Sequence, residues 1–151
     1  MGSLMFLCKT RLNICYAVSL CSRYMVDPSC LHLKAKKKIL RYVCGTINFG
    51  IHYFSTDNVN LIGFSDSDWG SNLDDQKSTS GNYFSLGTGL VPWSSKKKTI
   101  VALSSTEAEY VALTSASAKA IWLQKFVIEI GEKQEHSTTF FCDNQSAIKL
   151  A

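Results

Sequence analysis

Leu61-Ile62-Gly63-Phe64-Ser65-Asp66-Ser67-Asp68-Trp69 is an apolar run that ends in carboxylates. Its first six residues read as a core strand, because branched and aromatic side chains suit a pleated, half-buried surface. Asp66 closes that strand, and a carboxylate is costly to bury without a partner. Asp68 follows two residues on, either pointing the same way in an extended chain or lying in a loop. The pattern recurs twice. Ser104-Ser105-Thr106-Glu107-Ala108-Glu109-Tyr110 precedes a long apolar stretch, and Phe140-Phe141-Cys142-Asp143-Asn144-Gln145 follows one.

Working outward, Gly81-Asn82-Tyr83-Phe84-Ser85-Leu86 reads as a second strand, closed by a Gly87-Thr88-Gly89 turn. Leu90–Ser94 and Thr99–Leu103 read as strand pieces, separate or joined by a bend around Ser95-Lys96-Lys97-Lys98. A helix is expected over 105–130. Ser104-x-x-Glu107 fits a capping box, and Gly131 suits a terminator. Ala108, Ala112, Ala116 and Ala120 stand four apart and permit close approach to a sheet. Leu113, Ile121, Trp122, Phe126 and Ile130 supply bulk, and serines at 115–117 suggest a kink. Thr138–Cys142 reads as a short strand, with a helix from Asn144. Strands followed by a helix, a strand and a helix give an α/β fold with a mixed sheet and flanking helices.

The N-terminal third differs. Ile14, Ala17, Val18 and Cys21 fall at helical spacing, and Leu31, Ala35, Ile39 and Tyr42 form a second stripe after the Asp27-Pro28-Ser29 turn. Residues 47–54 read as a strand. Thr56-Asp57-Asn58-Val59-Asn60 is a polar bridge, which places a boundary between a small helical segment, 1–55, and a body, 56–151. The net charge of +4 is uneven: residues 1–55 carry +7 and the remainder −3. Lys34, Lys36, Lys37, Lys38 and Arg41 either hold a polyanion or solvate a helix face.

The chain has 151 residues, 46% of them hydrophobic, enough for a core. No apolar run is long enough to span a membrane, and no signal-peptide pattern opens the chain. The expectation is an intracellular protein, cytoplasmic or nuclear and not secreted, with no membrane partner. Cys8, Cys15, Cys21, Cys30, Cys44 and Cys142 lack a close CxxC pair and read as reduced thiols.

If the fold gathers Asp66, Glu109 and Asp143, their mutual repulsion favours protonation unless Mg²⁺, a hard cation that takes oxygen ligands, offsets it. Two such ions about 4 Å apart can activate water and stabilise the leaving oxygen of a phosphodiester. The plainer readings are a strand-end turn for Asp66, helix N-terminal charges for Glu107 and Glu109, and a cap for Asp143-Asn144.

At these motifs the sequence resembles the ribonuclease H region of Ty1/copia-type retrotransposon Pol polyproteins. The resemblance runs through Ser65-Asp66-Ser67-Asp68-Trp69-Gly70, Lys77-Ser78-Thr79-Ser80-Gly81, Trp93-Ser94-Ser95-Lys96-Lys97, Leu103 to Tyr110, and Cys142-Asp143-Asn144-Gln145-Ser146-Ala147. Thr10-Arg11 through Met25 is similar to the end of a reverse transcriptase. Leu40-Arg41-Tyr42-Val43 with Gly45-Thr46 is similar to its connection. The resemblance implies a ribonuclease H-like fold in which Asp66, Glu109 and Asp143 hold two Mg²⁺ ions, or Mn²⁺ in their place. Its implied substrate is the RNA strand of an RNA/DNA hybrid, and its implied partner the rest of a reverse transcriptase polyprotein. Ser104, Ser105, Asn144 and Gln145 would meet sugar or phosphate, or serve as caps. A fourth aspartate of the family lies farther downstream than Ala151. The expectation is therefore a fold incomplete at its C-terminus, with hydrolysis weak or lost. The alternative is a non-catalytic remnant with at most weak nucleic-acid binding.

Overall fold

The computed structural model describes residues 1–56, 59–70, 75–132, 134 and 136–151. It divides into two compact units, Met1–His52 and Tyr53–Ala151. Asp57-Asn58 of the expected bridge, and residues 71–74, lie outside the described residues.

The first unit is helical: α1 (Gly2–Leu7), a 3₁₀ turn (Leu12–Ile14), α2 (Cys15–Ser22) and α3 (Cys30–Gly45). Leu4, Cys8, Ile14, Val18, Cys21 and Ile39 form its core. The Ser29 amide donates to His32 Nδ1, closing the first turn of α3. The expected strand over 47–54 does not form. The Arg11 guanidinium instead donates to the carbonyls of Thr46 and Phe49 and to Thr46 Oγ1. A side chain thus satisfies carbonyls that a neighbouring strand would otherwise take, and Ile47, Phe49, Tyr53 and Phe54 remain exposed.

The second unit is a four-stranded mixed sheet in the order β3-β2-β1-β4, a ribonuclease H-like α/β fold. β1 (Leu61–Asp68), β2 (Thr79–Leu86) and β3 (Gly89–Lys97) form an antiparallel meander. β3 continues through Lys96-Lys97, its register shift falling instead at Pro92 opposite Tyr83 and Phe84, and Thr99–Leu103 is not strand. After α4 (Ser105–Glu129), β4 (Thr139–Phe141) pairs parallel with β1, and α5 (Gln145–Leu150) follows.

Burial alternates along β1: Leu61, Gly63, Ser65 and Ser67 are buried, while Asp66 and Asp68 are exposed. Leu61 and Phe84 pack against Ala116, Ala120 and Leu123 of α4. Ala108, Ala112, Ala116 and Ala120 are all buried, so the small-residue stripe seats the helix. The bulk comes from Leu113, as expected, together with Leu123 and Val127. Ile121, Trp122, Phe126 and Ile130, expected inside, are exposed, because the alanine stripe fixes the inward face and turns them away from it. The helix is continuous through 115–117. The Ser115 and Ser117 hydroxyls donate to carbonyls four residues back, and the ladder stays intact.

Gly63 marks a close approach. A Cβ there would stand 2.5 Å from Phe140 Cε1. Phe140 occupies that space and meets Phe84 edge-on, with centroids 6.0 Å apart. The missing side chain lets β4 lie close beside β1.

Candidate metal centre

β4 pairs with β1 only as far as Phe64 with Phe141. Beyond that point β1 continues to Asp68, so its amides on that side lose their ladder partners. Glu109, on the second turn of α4, fills the gap. Its Oε1 accepts from the Ser67 amide at 2.8 Å, and the residue is 5% exposed. The same split turns Cys142 and Asp143 toward it. The Cys142 thiol donates to Glu109 Oε2 at 3.8 Å.

Local chemistry sets where α4 starts. Ser104 Oγ accepts from the Glu107 amide, while Glu107 Oε2 accepts from the Leu103 amide at 2.7 Å. Glu107 is thereby consumed by the helix start, and Glu109 is free to serve the split. The indole N–H of Trp69 donates to the Ala102 carbonyl, tying the end of β1 to the approach to α4. The Lys98 ammonium donates to Ser115 Oγ, tying the end of β3 to the same helix. At the other end, Asn144 Oδ1 accepts from the Ala147 amide and starts α5 just after Asp143.

Glu109, Cys142 and Asp143 each offer a ligand atom, all within 4.8 Å of one another. Asp66 is not in that group, but its charge bears on Glu109. Burial pushes the Glu109 carboxyl above its ordinary range. The Ser67 amide opposes the shift, and the charges of Asp66 and Asp143 add to it. Burial also pushes the Cys142 thiol up, as do Glu109 and Asp143, while the Asn144 amide lowers it. A buried carboxylate with two further acids acting on it is a donor set that suits a hard divalent cation.

Of the other expected contacts, Ser105 and Gln145 are exposed at the first positions of α4 and α5. Ser104 and Asn144 have their side-chain oxygens engaged as caps. On α3, Lys34, Lys37, Lys38 and Arg41 are exposed and Lys36 is half-buried, while Ile39 is buried. None of the six cysteines forms a disulfide; Cys8 and Cys21 are buried, and Cys30 and Cys44 are exposed. Sequence reasoning missed Cys142 as a member of the cluster. Its position beside Asp143 at the end of a strand was the available signal.

Two plant Pol polyproteins match nearly the whole chain. The Retrovirus-related Pol polyprotein from transposon RE1 of Arabidopsis thaliana is 40% identical over 149 residues, 99% of this chain and 10% of that protein. That from transposon TNT 1-94 of Nicotiana tabacum is 40% identical over 151 residues, 99% of this chain and 11% of that protein. Over almost all of its length the chain is homologous to a fragment of Ty1/copia-type retrotransposon Pol polyproteins. The chain spans about a tenth of the length of those curated relatives. It is also 42% identical over 123 residues to Secreted RxLR effector protein 161 of Plasmopara viticola, covering 87% of that protein. No family profile and no solved structure matches it. Among the described residues no helix is long and apolar enough to cross a membrane.

Proposed function

We propose that the chain is the ribonuclease H part of a retrotransposon Pol polyprotein, which hydrolyses the RNA strand of an RNA/DNA hybrid. The observation that carries this reading is the buried Glu109 carboxylate, held by the Ser67 amide where β1 and β4 part, with Asp143 close by and Asp66 acting on it. In this reading Asp66, Glu109 and Asp143 hold two Mg²⁺ ions, with Mn²⁺ able to replace them. Mg²⁺, when bound, supplies activation of water and stabilisation of the leaving oxygen. The protein's part is positional. The Ser67 amide fixes one Glu109 oxygen, the α5 cap fixes the turn that carries Asp143, and strand pairing fixes Asp66 opposite Gly81.

Ser105 and Gln145 are the exposed polar side chains assigned to sugar and phosphate, and 2′-hydroxyl contacts select the RNA strand. Lys34, Lys36, Lys37, Lys38 and Arg41 bind the phosphate backbone electrostatically. Residues 1–55 act as the tail and connection of a reverse transcriptase, and 56–151 as the nuclease body. The partner is the rest of that polyprotein, and the setting is the cytoplasm or nucleus.

Labelled RNA/DNA hybrid with Mg²⁺ tests the reading. RNA-strand cleavage faster than by the Asp66→Asn chain supports it, and equal rates overturn it. A second reading, weak binding without cleavage, draws on the exposed basic face of α3. It requires binding that falls steeply with salt and shows no preference for hybrid over duplex.

A further inference from the structure

We infer that Cys142 makes this cluster a trap for a thiophilic divalent cation of zinc's class, which competes with Mg²⁺ for Glu109 and Asp143. The inference rests on the nuclease reading only for its consequence, inhibition; the binding stands on geometry. A carboxylate-only site has no preference for soft cations, whereas a thiolate ligand strongly favours Zn²⁺ or Cd²⁺ over Mg²⁺. In a tetrahedral zinc site, sulfur lies about 2.3 Å and oxygen about 2.0–2.2 Å from the ion, so the two ligand atoms stand about 3.6 Å apart. Cys142 Sγ and Glu109 Oε2 stand 3.8 Å apart, and an Asp143 oxygen lies within 4.8 Å of both ligand atoms. One ion fits among them once the Asp143 oxygen closes from at most 4.8 Å to about 3.6 Å. Three protein ligands plus a water make a four-coordinate shell. As the sulfur–metal bond forms, the thiol releases its proton to water. Nothing is oxidised or reduced.

An independent observation points to a ligand on the same face. The Ser65 and Ser67 hydroxyls are enclosed without a hydrogen-bond partner, on residues 6% and 8% exposed. Strand alternation turns both toward α4, the face on which Cys142 Sγ meets Glu109. Ser65 stands one residue beyond Phe64, as Cys142 stands one beyond Phe141, the register partner of Phe64. A water completing the cation's shell is the kind of partner these buried hydroxyls lack.

The test is Cd²⁺ titration of the reduced full chain, read by the ultraviolet charge-transfer band of a cadmium–thiolate bond. The expected result is one tight equivalent, weakened at least about tenfold by Cys142→Ser and by Glu109→Gln. Cys30→Ser and Cys44→Ser, at the two exposed thiols, should leave it unchanged. A variant-free reading uses the wild-type chain: stoichiometric Cd²⁺ should protect Cys142 from iodoacetamide while Cys30 and Cys44 still react. A band that persists in Cys142→Ser, or equal alkylation of Cys142 with and without Cd²⁺, overturns the inference. Hybrid cleavage is scored separately. If the wild-type chain with Mg²⁺ fails to cleave, the nuclease reading falls while the cadmium band remains.

Discussion

Replacing Gly63 with alanine should weaken the fold and the metal cluster together, and only while Phe140 keeps its ring. The added Cβ would stand 2.5, 2.8 and 3.1 Å from three atoms of that ring, where carbon atoms pack at about 3.5–4.0 Å. The ring must therefore retreat by about 1 Å. Phe84 blocks part of its path, being fully buried and edge-on to it, so β4 has to shift with the ring. Overpacking of this kind costs about 1–3 kcal/mol. Replacing glycine with alanine recovers about 0.4–1 kcal/mol by restricting the unfolded chain. The net expectation is about 1–2 kcal/mol of lost stability, or roughly 5–15 °C in the unfolding midpoint of a unit this size.

All three tryptophans lie in the Tyr53–Ala151 unit, so their fluorescence during urea titration follows that unit. In a Phe140→Ala background the obstacle is gone, and Gly63→Ala should be neutral or slightly stabilising. The resulting coupling of about 1–3 kcal/mol lies within the range for side chains in contact. Asp143 sits three residues past Phe140, so Gly63→Ala alone should also weaken Mn²⁺ binding, measured by water-proton relaxation. An equal penalty for Gly63→Ala in both backgrounds would refute the claim that Phe140 is what demands glycine here.

Further outcomes follow from the same contacts. Burial, then Asp66 and Asp143, raise the proton affinity of Glu109 in the folded chain against the opposing Ser67 amide. The metal-free fold is therefore favoured at low pH, and that advantage is lost as pH rises through the elevated pKa. Because protons and metal compete, the Mg²⁺-induced rise in unfolding midpoint should shrink as pH falls through that raised pKa, and Glu109→Gln should abolish it. Burial, with help from Cys15, pushes the Cys8 thiol from 9.0 to about 11. The folded state gains from this below pH 9 and loses it toward 11, and at about pH 8 iodoacetamide should label Cys8 far more slowly than exposed Cys30. Asn144→Ala removes the Oδ1 that caps α5 and should cost about 1 kcal/mol in urea titration, with weaker Mn²⁺ binding because the adjacent turn carries Asp143. Replacing Lys37, exposed on α3, with alanine should lower the salt slope of nucleic-acid binding by about 1 without changing sequence preference.

Local patterns along the chain were enough to place β1, β2, β4, α3 and α4, because a strand's alternation, an alanine every fourth residue and a serine three before a glutamate are each written within a few residues. They also placed Ser104 and Asn144 at helix starts, where neighbouring amides need an acceptor. Local pattern failed at 47–54, where no strand forms and Arg11 holds the carbonyls of Thr46 and Phe49. It failed again at Trp122 and Phe126, where hydrophobicity alone does not say which side of a helix faces the sheet.

What sequence by itself determined, then, was most of the elements around the site, the resemblance to Pol polyproteins, and the three acids worth watching. Tertiary structure decided which groups meet. Glu109 reaches the Ser67 amide across 42 residues, and Cys142 across 33, because parallel pairing of β4 with β1 stops at Phe64 and Phe141 and leaves a gap for a side chain. That stopping point, and the ring of Phe140 lying where Gly63 has no side chain, are set by packing between distant segments, which no short window of residues contains.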